Sequence, residues 1–93
     1  MARITYTRFD VWLVDLDPVM GSEIKKTRPS VIISPKEINQ HMNTVIIAPL
    51  TSTIKNFPFR LNCKIQNHNG QIAPDHIRSV DKIRLVRKVG VIQ

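Results

Sequence analysis

The residue types that could carry chemistry in this chain gather in three polar segments. In the first segment Lys25, Lys26 and Arg28 fall within four positions, and Pro29 follows Arg28 directly. A residue before proline is restricted to extended backbone, so Arg28 should have a fixed main chain. From such a position a planar guanidinium can hold a phosphate through two parallel hydrogen bonds. A solvated loop between two strands explains the same residues, and on this segment alone we favour that interpretation.

The second segment is an apolar run that ends in three hydroxyl residues, Thr51, Ser52 and Thr53. Hydroxyl groups at the end of a strand can bind phosphate oxygens or a ribose hydroxyl. They more commonly cap a turn, so this segment alone does not distinguish a binding site from a structural turn.

The third segment contains a carboxylate, an imidazole and a guanidinium within four positions, at Asp75, His76 and Arg78. An imidazole such as His76 can act as a general acid or base near neutral pH. Asp75 and Asp81 could equally pair with Arg78 and Lys82 as structural salt bridges. The spacing leaves both interpretations open.

Metal chemistry finds little support in the sequence. Asp15 and Asp17 lie two positions apart on one face of a predicted strand, but Asp17 precedes Pro18, a pair typical of a turn, and no further acids gather nearby. The three histidines are far apart, and Cys63 is the single cysteine, which excludes a Cys-based zinc site and an internal disulfide. We therefore expect neither a metal nor a cofactor.

The elements that must position these residues are mostly short strands. Trp12 belongs to an apolar strand and is predicted to be a core residue, and with only five aromatic residues a base-stacking surface has little support. Many short strands separated by turn residues predict a small barrel with its functional residues on loops at one rim. The predicted strands are 11–16, 31–33, 44–47, 59–65, 70–73, 77–80 and 86–92, with a turn at 67–70, a short helix at 35–41 capped by Ser34, and a helical turn at 81–85.

The chain length and the net charge limit the classes of protein to which this chain can belong. A chain of 93 residues is one domain with a thin stability margin, which a second copy in a homodimer would support. The formal charge is +7, of which residues 51–93 carry +6 (eight basic, two acidic). This indicates a polyanionic partner such as nucleic acid or an acidic protein segment, but a merely soluble basic surface explains the charge as well, because charge alone does not identify a ligand. The first residues do not resemble a signal peptide and the apolar runs are too short to span a bilayer, so we predict a cytoplasmic protein without membrane contact.

Taken together, the order and spacing of these motifs resemble the MazF/PemK family of toxin endoribonucleases. The likeness runs from about Phe9 to the C-terminus. The motifs that carry it are Val11–Pro18, Gly21-Ser22-Glu23, Thr27-Arg28-Pro29, Ala48-Pro49-Leu50-Thr51-Ser52 and the segment containing Asp75, Ile77-Arg78 and Val80-Asp81-Lys82.

The resemblance implies a mainly β fold, a small partly open antiparallel β-barrel of the CcdB/PemK (Src-homology-3-like) type with one or two short helices, working as a homodimer. It implies a toxin that cleaves single-stranded RNA, often mRNA, at short sequences and without a metal. The 2′-hydroxyl would attack the neighbouring phosphate, leaving a 2′,3′-cyclic phosphate and a 5′-hydroxyl. It also implies neutralisation by a small acidic antitoxin of the MazE/PemI kind.

The resemblance also assigns roles to single residues. Arg28 and Thr51 match the catalytic arginine and threonine, while Glu23 and His76 both remain candidates for the general base. The predicted substrate-binding residues are Glu23, Lys25, Ser52, Asp75, His76 and Arg78.

Departures from the family pattern refine this assignment. His76 replaces the usual glutamine, which should affect sequence recognition, and Phe9 replaces a glycine. Ala73 and Ser22 occupy positions where PemK-like members carry a catalytic Arg and His, which favours the MazF-type Arg/Thr arrangement. The family normally continues into a C-terminal helix, so we expect residues 1–93 to form a single toxin domain without it.

Three alternatives stay open on sequence grounds. A gyrase-poisoning toxin could share the same barrel, although such toxins act through a C-terminal helix. A non-catalytic module could bind RNA or an acidic protein, and a shortened family member could be inactive.

Overall fold

The computed structural model describes residues 4–16 and 26–92 and shows a mainly β chain with one short helix. Its strands are β1 (Asp10–Asp15), β2 (Thr27–Ile32), β3 (Thr44–Thr51), β4 (Leu61–Ile65), β5 (His68–Ile72), β6 (Arg78–Asp81) and β7 (Leu85–Val91); α1 spans Lys36–His41, and 3₁₀ turns span Pro74–His76 and Lys82–Arg84.

All strand pairs are antiparallel, and β3 is the strand that connects the sheet. The order across the sheet is β4-β5-β3-β2-β1-β7, and β6 also pairs with β3. The first half of β3 pairs with β6, where Ile47 faces Arg78. The second half pairs with β5, where Thr51 faces Gln71. The polar segment of Thr51 therefore belongs to β3, and the polar segment of Arg78 pairs with the same strand.

The sheet curls until its two edge strands approach each other. The Gln66 side chain, at the end of β4, donates a hydrogen bond of 2.8 Å to the carbonyl of Val89 in β7. Ile65 and Val89 also pack around the same apolar cluster. These contacts join strands from opposite edges, so the predicted partly open antiparallel barrel is confirmed.

Both faces of the central strands are buried because β-branched and apolar residues occupy nearly every position. One cluster takes alternate residues of β1 and β3 together with Val80 and Leu85. The opposite cluster is built on Val11, Val31, Ala48 and Leu50. The first cluster, called the inner core below, comprises Trp12, Val14, Leu16, Ile32, Val45, Ile47, Val80 and Leu85.

Trp12 is a core residue, as predicted. Its side chain is 7% exposed and its ring lies 5.1 Å from that of Tyr6, which packs against the inner core. The ring therefore stabilises the barrel and is not a stacking surface for RNA.

Several local predictions were wrong. The strands predicted at 31–33 and 44–47 differ from β2 (Thr27–Ile32) and β3 (Thr44–Thr51), so Arg28 lies in a strand and not in a loop. Ser34 does not cap α1, because its hydroxyl is buried and instead bonds Asn39 and the amide of Ile46; Pro35 precedes the helix. The hairpin between β4 and β5 turns at Gln66 and Asn67 (φ 48° and 65°), so the paired strand begins at His68 and not at residue 70. The first strand residue of β4 is Leu61 and not residue 59.

The buried Asn39 side chain ties α1 to the sheet. Its amide nitrogen donates to the Ser34 carbonyl at 2.9 Å, its oxygen bonds the Ser34 hydroxyl, and that hydroxyl accepts from the Ile46 amide. Replacing Asn39 by alanine removes the partner of the Ser34 carbonyl and the acceptor of the Ser34 hydroxyl, and should lower the free energy of unfolding by about 1–3 kcal/mol. Urea denaturation measures this loss.

The matched control is Gln40→Ala on the exposed face of the same helix, which should change stability by less than about 0.5 kcal/mol. Equal stability of the two variants would show that the buried network does not hold the helix.

Within residues 4–16 and 26–92, no helix has the length and apolar character needed to cross a membrane.

Candidate functional site

Arg28 and Thr51 lie on neighbouring strands of the sheet. Arg28 is the second residue of β2, where it faces Val14 of β1, and Thr51 ends β3. The β2–β3 register pairs Ile32 with Ile47 and Ser30 with Pro49. Arg28 and Thr51 both lie two residues beyond the last pair of this ladder, at the same end of their strands.

Pro29 ends the β2–β3 ladder just before Arg28. It has no amide hydrogen to donate to β3, and the paired register stops at Ser30 and Pro49. Arg28 nevertheless remains in extended backbone through its pairing with Val14, as predicted from the following proline. The guanidinium and the hydroxyl are therefore carried by strand ends that are not joined by further backbone pairing.

A third group, the Arg78 guanidinium, belongs to the same face of the sheet. Directly paired residues of antiparallel strands point to one face, so Arg78 shares the face of Ile47 and hence of Arg28. Its guanidinium donates a hydrogen bond of 3.4 Å to the carbonyl of Leu16 at the end of β1. Two guanidinium groups and one hydroxyl thus lie at the same end of the inner core, an arrangement suited to an anion.

The Thr51 hydroxyl is held in place by a local turn. Its oxygen accepts a 3.1 Å hydrogen bond from the amide of Thr53. Because that bond occupies a lone pair, the hydroxyl proton is directed elsewhere and can be donated to a phosphate oxygen. Ser52 is exposed beside it.

Gln71 fixes the segment that follows Thr51. The side chain is only 4% exposed, and its oxygen accepts from the Lys55 amide at 3.0 Å. Its nitrogen donates to the Lys55 carbonyl and to the Asn62 side chain, both at 3.0 Å. Since Gln71 is also the strand partner of Thr51, residues 51–55 form a loop closed onto β5. Sequence reasoning missed this residue because one polar residue in a short strand carries no signal of burial.

Asp75 pairs with Arg60 and not with Arg78, which corrects one alternative of the sequence analysis. Arg60 Nε and Nη2 lie 2.8 and 2.9 Å from the two carboxylate oxygens. This hydrogen bond holds the pKa of the Asp75 carboxyl below its ordinary value, so the group is ionised at neutral pH. His76 Nε2 lies 3.5 Å from Asp75 Oδ2 in the same 3₁₀ turn.

Asp81 does not form the structural salt bridge with Lys82 that the spacing allowed. Its carboxylate accepts the Ile83 amide at 3.2 Å and caps the second 3₁₀ turn. The structure therefore assigns Asp81 a local structural role.

Glu23 and Lys25 lie outside the described residues, as does Asp17. The residues that flank this segment, Leu16 and Lys26, are held together because the Leu16 amide donates to the Lys26 carbonyl at 3.1 Å. Arg84 also donates to the Asp15 carbonyl at 3.2 Å. The predicted roles of Glu23 and Lys25 stay predictions.

Among residues 4–16 and 26–92, no group of three or more His, Cys, Asp or Glu side chains is arranged to hold a metal ion. One cleft, of about 740 Å³, lies at the other end of β3 beside α1. It is lined by Tyr6, Arg8, Lys36, His41 and Lys82, among others. Arg28 and Thr51 are not among its lining residues.

Comparison with protein families gives one match over nearly the whole chain. Residues 7–93 match the family described as PemK-like, MazF-like toxin of type II toxin–antitoxin system.

Solved structures share the fold at low sequence identity. MazF from Deinococcus radiodurans superimposes with a TM-score of 0.87 at 22% identity, covering 98% of this chain and 84% of that one. An endoribonuclease in complex with its cognate antitoxin, from a mycobacterial species, gives 0.80 at 22%, covering 96% and 81%. The Mycobacterium tuberculosis toxin MazF-mt6 gives 0.75 at 20%, covering 90% and 80%.

Proposed function

Because the chain belongs to the PemK-like, MazF-like toxin family of type II toxin–antitoxin systems, we propose that it is a cytoplasmic toxin that cleaves single-stranded RNA. The observation that carries the proposal is that Arg28 and Thr51 lie at the same end of the neighbouring strands β2 and β3, beyond the last pair of their ladder. A guanidinium and a hydroxyl at neighbouring strand ends can hold one phosphate between them.

The reaction requires an attacking hydroxyl and stabilisation of negative charge. In the proposed mechanism a general base takes the proton of the ribose 2′-hydroxyl, whose oxygen attacks the adjacent phosphorus in line. The bond to the 5′-oxygen breaks, that oxygen takes up a proton from Arg28 or from water, and a 2′,3′-cyclic phosphate remains. Charge builds up on the phosphoryl oxygens, where the Arg28 guanidinium stabilises it. Thr51 donates a hydrogen bond to one of these oxygens and thereby orients the phosphate. Arg78 and Lys25 hold neighbouring phosphates.

The general base is one of two residues. The His76 imidazole is partly exposed, and its Nε2 lies 3.5 Å from Asp75 Oδ2. Glu23 is the other candidate, on the segment between β1 and β2. Comparing the pH dependence of kcat for His76→Gln and Glu23→Gln distinguishes them, because the variant that lacks the base loses its acidic limb.

The proposed partners follow from charge and from the family. A chain of formal charge +7 attracts both RNA and an acidic polypeptide, and a relative of the same fold is described in complex with its cognate antitoxin. We propose a small acidic antitoxin that covers the face containing Arg28 and Thr51. A homodimer would supply the additional buried surface that a 93-residue domain needs.

The test is digestion of a long mRNA transcript by the purified protein in excess EDTA. We expect fragments with 5′-hydroxyl ends, which polynucleotide kinase labels without prior phosphatase treatment, and 2′,3′-cyclic phosphate ends. Mapping these ends also gives the recognition sequence. A transcript with 2′-deoxy nucleotides at the mapped positions is the control and should stay intact.

Loss of activity in EDTA, with recovery on adding a divalent metal, would contradict the proposed mechanism. Fragments with 5′-phosphate ends would contradict attack by the 2′-hydroxyl. DNA breakage in a gyrase assay without RNA cleavage would favour the gyrase-directed alternative.

A further inference from the structure

The segment between β3 and β4 carries two phenylalanine rings that stack on each other at the surface. The rings of Phe57 and Phe59 lie 5.2 Å apart between centroids with an interplanar angle of 14°. They remain 46% and 48% exposed, so a large apolar surface faces solvent. Exposure of two aromatic rings to water is unfavourable for a small domain, and exposed apolar patches mark interaction sites.

The Arg60 guanidinium lies over the ring of Phe57. The Arg60 carbon Cζ lies 5.6 Å from the centroid of the Phe57 ring. Arg60 is in turn held by both oxygens of Asp75, and its side chain is only 9% exposed. The planar group against Phe57 is therefore fixed before any ligand arrives, which lowers the entropy cost of binding.

The stack is attached to the candidate site. Gln71 binds both backbone polar groups of Lys55, two residues before Phe57, and Gln71 is also the strand partner of Thr51. Phe57 lies six positions after Thr51, which limits their separation to about 20 Å even for an extended chain. One single-stranded ligand can therefore contact both.

The positive charge of this segment indicates which kind of ligand binds the rings. From Thr51 to Pro74 the sequence contains Lys55, Arg60 and Lys64 and no acidic residue. A second copy of the chain would bring the same positive surface against this one, whereas RNA offers phosphates for the cations and flat bases for the rings. Base–aromatic stacking with a neighbouring arginine is a common way of binding single strands.

We propose that Phe57, Phe59 and Arg60 form a stacking platform for a base of single-stranded RNA that flanks the cleaved phosphate. The proposal rests on the function proposed above and adds residues that bind substrate without taking part in the reaction. It also changes the sequence-based expectation that so few aromatic residues give little support for a stacking surface.

The experiment uses a probe that cannot be cleaved, so binding is measured apart from catalysis. The probe is a 12-nucleotide 2′-O-methyl oligouridine with one 2-aminopurine, whose fluorescence falls when it stacks. The double variant Phe57→Leu/Phe59→Leu keeps the apolar surface and removes the rings. We expect its affinity to fall about tenfold to a hundredfold, with loss of quenching.

The matched control is Phe57→Tyr/Phe59→Tyr, which keeps both rings and should bind and quench as the wild type does. In parallel, mRNA cleavage should show a raised KM and an unchanged kcat for the leucine variant. Light scattering follows the oligomeric state of all three proteins.

The outcomes separate the platform from the proposed function. Wild-type affinity and quenching in the leucine variant, while the wild type cleaves RNA, would overturn the platform alone. A shift in oligomeric state that accompanies the loss of affinity would also overturn it and assign the rings to a subunit contact. Quenching that depends on the rings in a protein that never cleaves RNA would support the platform and overturn the nuclease.

Discussion

Replacing Arg28 by alanine is expected to lower kcat for RNA cleavage by about two to three orders of magnitude. Removing one preorganised group that stabilises transition-state charge typically costs about that much. The backbone at Arg28 is held by pairing with Val14 of β1, so the substitution should leave the sheet intact. Arg28→Lys keeps the charge but loses the planar two-point geometry, and should recover only part of the rate.

The matched control removes an equal charge at another place. Arg87 is exposed on β7, where it faces Leu13, and belongs to no element of the candidate site. Arg87→Ala should keep kcat near the wild-type value and slightly weaken RNA binding at low salt. Initial rates at saturating RNA, with thermal unfolding of each variant, measure both effects. Wild-type kcat in Arg28→Ala would remove Arg28 from the mechanism.

The parts of the fold that the sequence predicts well are those with strong hydrophobic patterns. Runs of β-branched residues in β1 and β3 are buried on both faces, so their position follows from composition alone. The constraint on Arg28 also follows from one neighbour, Pro29, and is confirmed by its place in β2. Local chemistry of this kind is visible without knowing the tertiary structure.

Features that depend on contacts between distant segments could not be predicted. The partner of Asp75 is Arg60, fifteen positions away, and the nearer Arg78 instead reaches Leu16 across the sheet. The spacing allowed the near pair, but the register of β6 on β3 determines where each side chain points. The same limit applies to Gln71, whose burial depends on the loop that follows β3.

Gly70 packs directly against the backbone of Thr51, so the candidate site requires a residue without a side chain at this position. A Cβ atom at this position would lie 2.9 Å from the carbonyl oxygen of Thr51 and 3.7 Å from its carbonyl carbon. Contacts below 3.0 Å force a shift, and here the opposing atoms are backbone. Relief therefore requires movement of the end of β3, where Thr51 lies.

Gly70→Ala is accordingly expected to lower kcat about tenfold to a hundredfold with little change in KM. A displacement on the order of 1 Å at a positioning group can reduce the rate about a hundredfold. The expected loss of stability is about 1–3 kcal/mol, because overpacking strains the strand. Steady-state kinetics on the mapped RNA and urea unfolding measure the two effects separately.

Gly90→Ala is the control that tests whether position, and not the loss of a glycine, is responsible. There the added Cβ would lie 3.1 Å from Ile65 Cδ1, the end of a flexible side chain that can rotate away. This variant should keep wild-type kcat. Equal kcat in both variants would mean that catalysis tolerates a shift of Thr51. A loss of kcat confined to Gly70→Ala would show that the Thr51 hydroxyl must keep the position that it has next to Gly70.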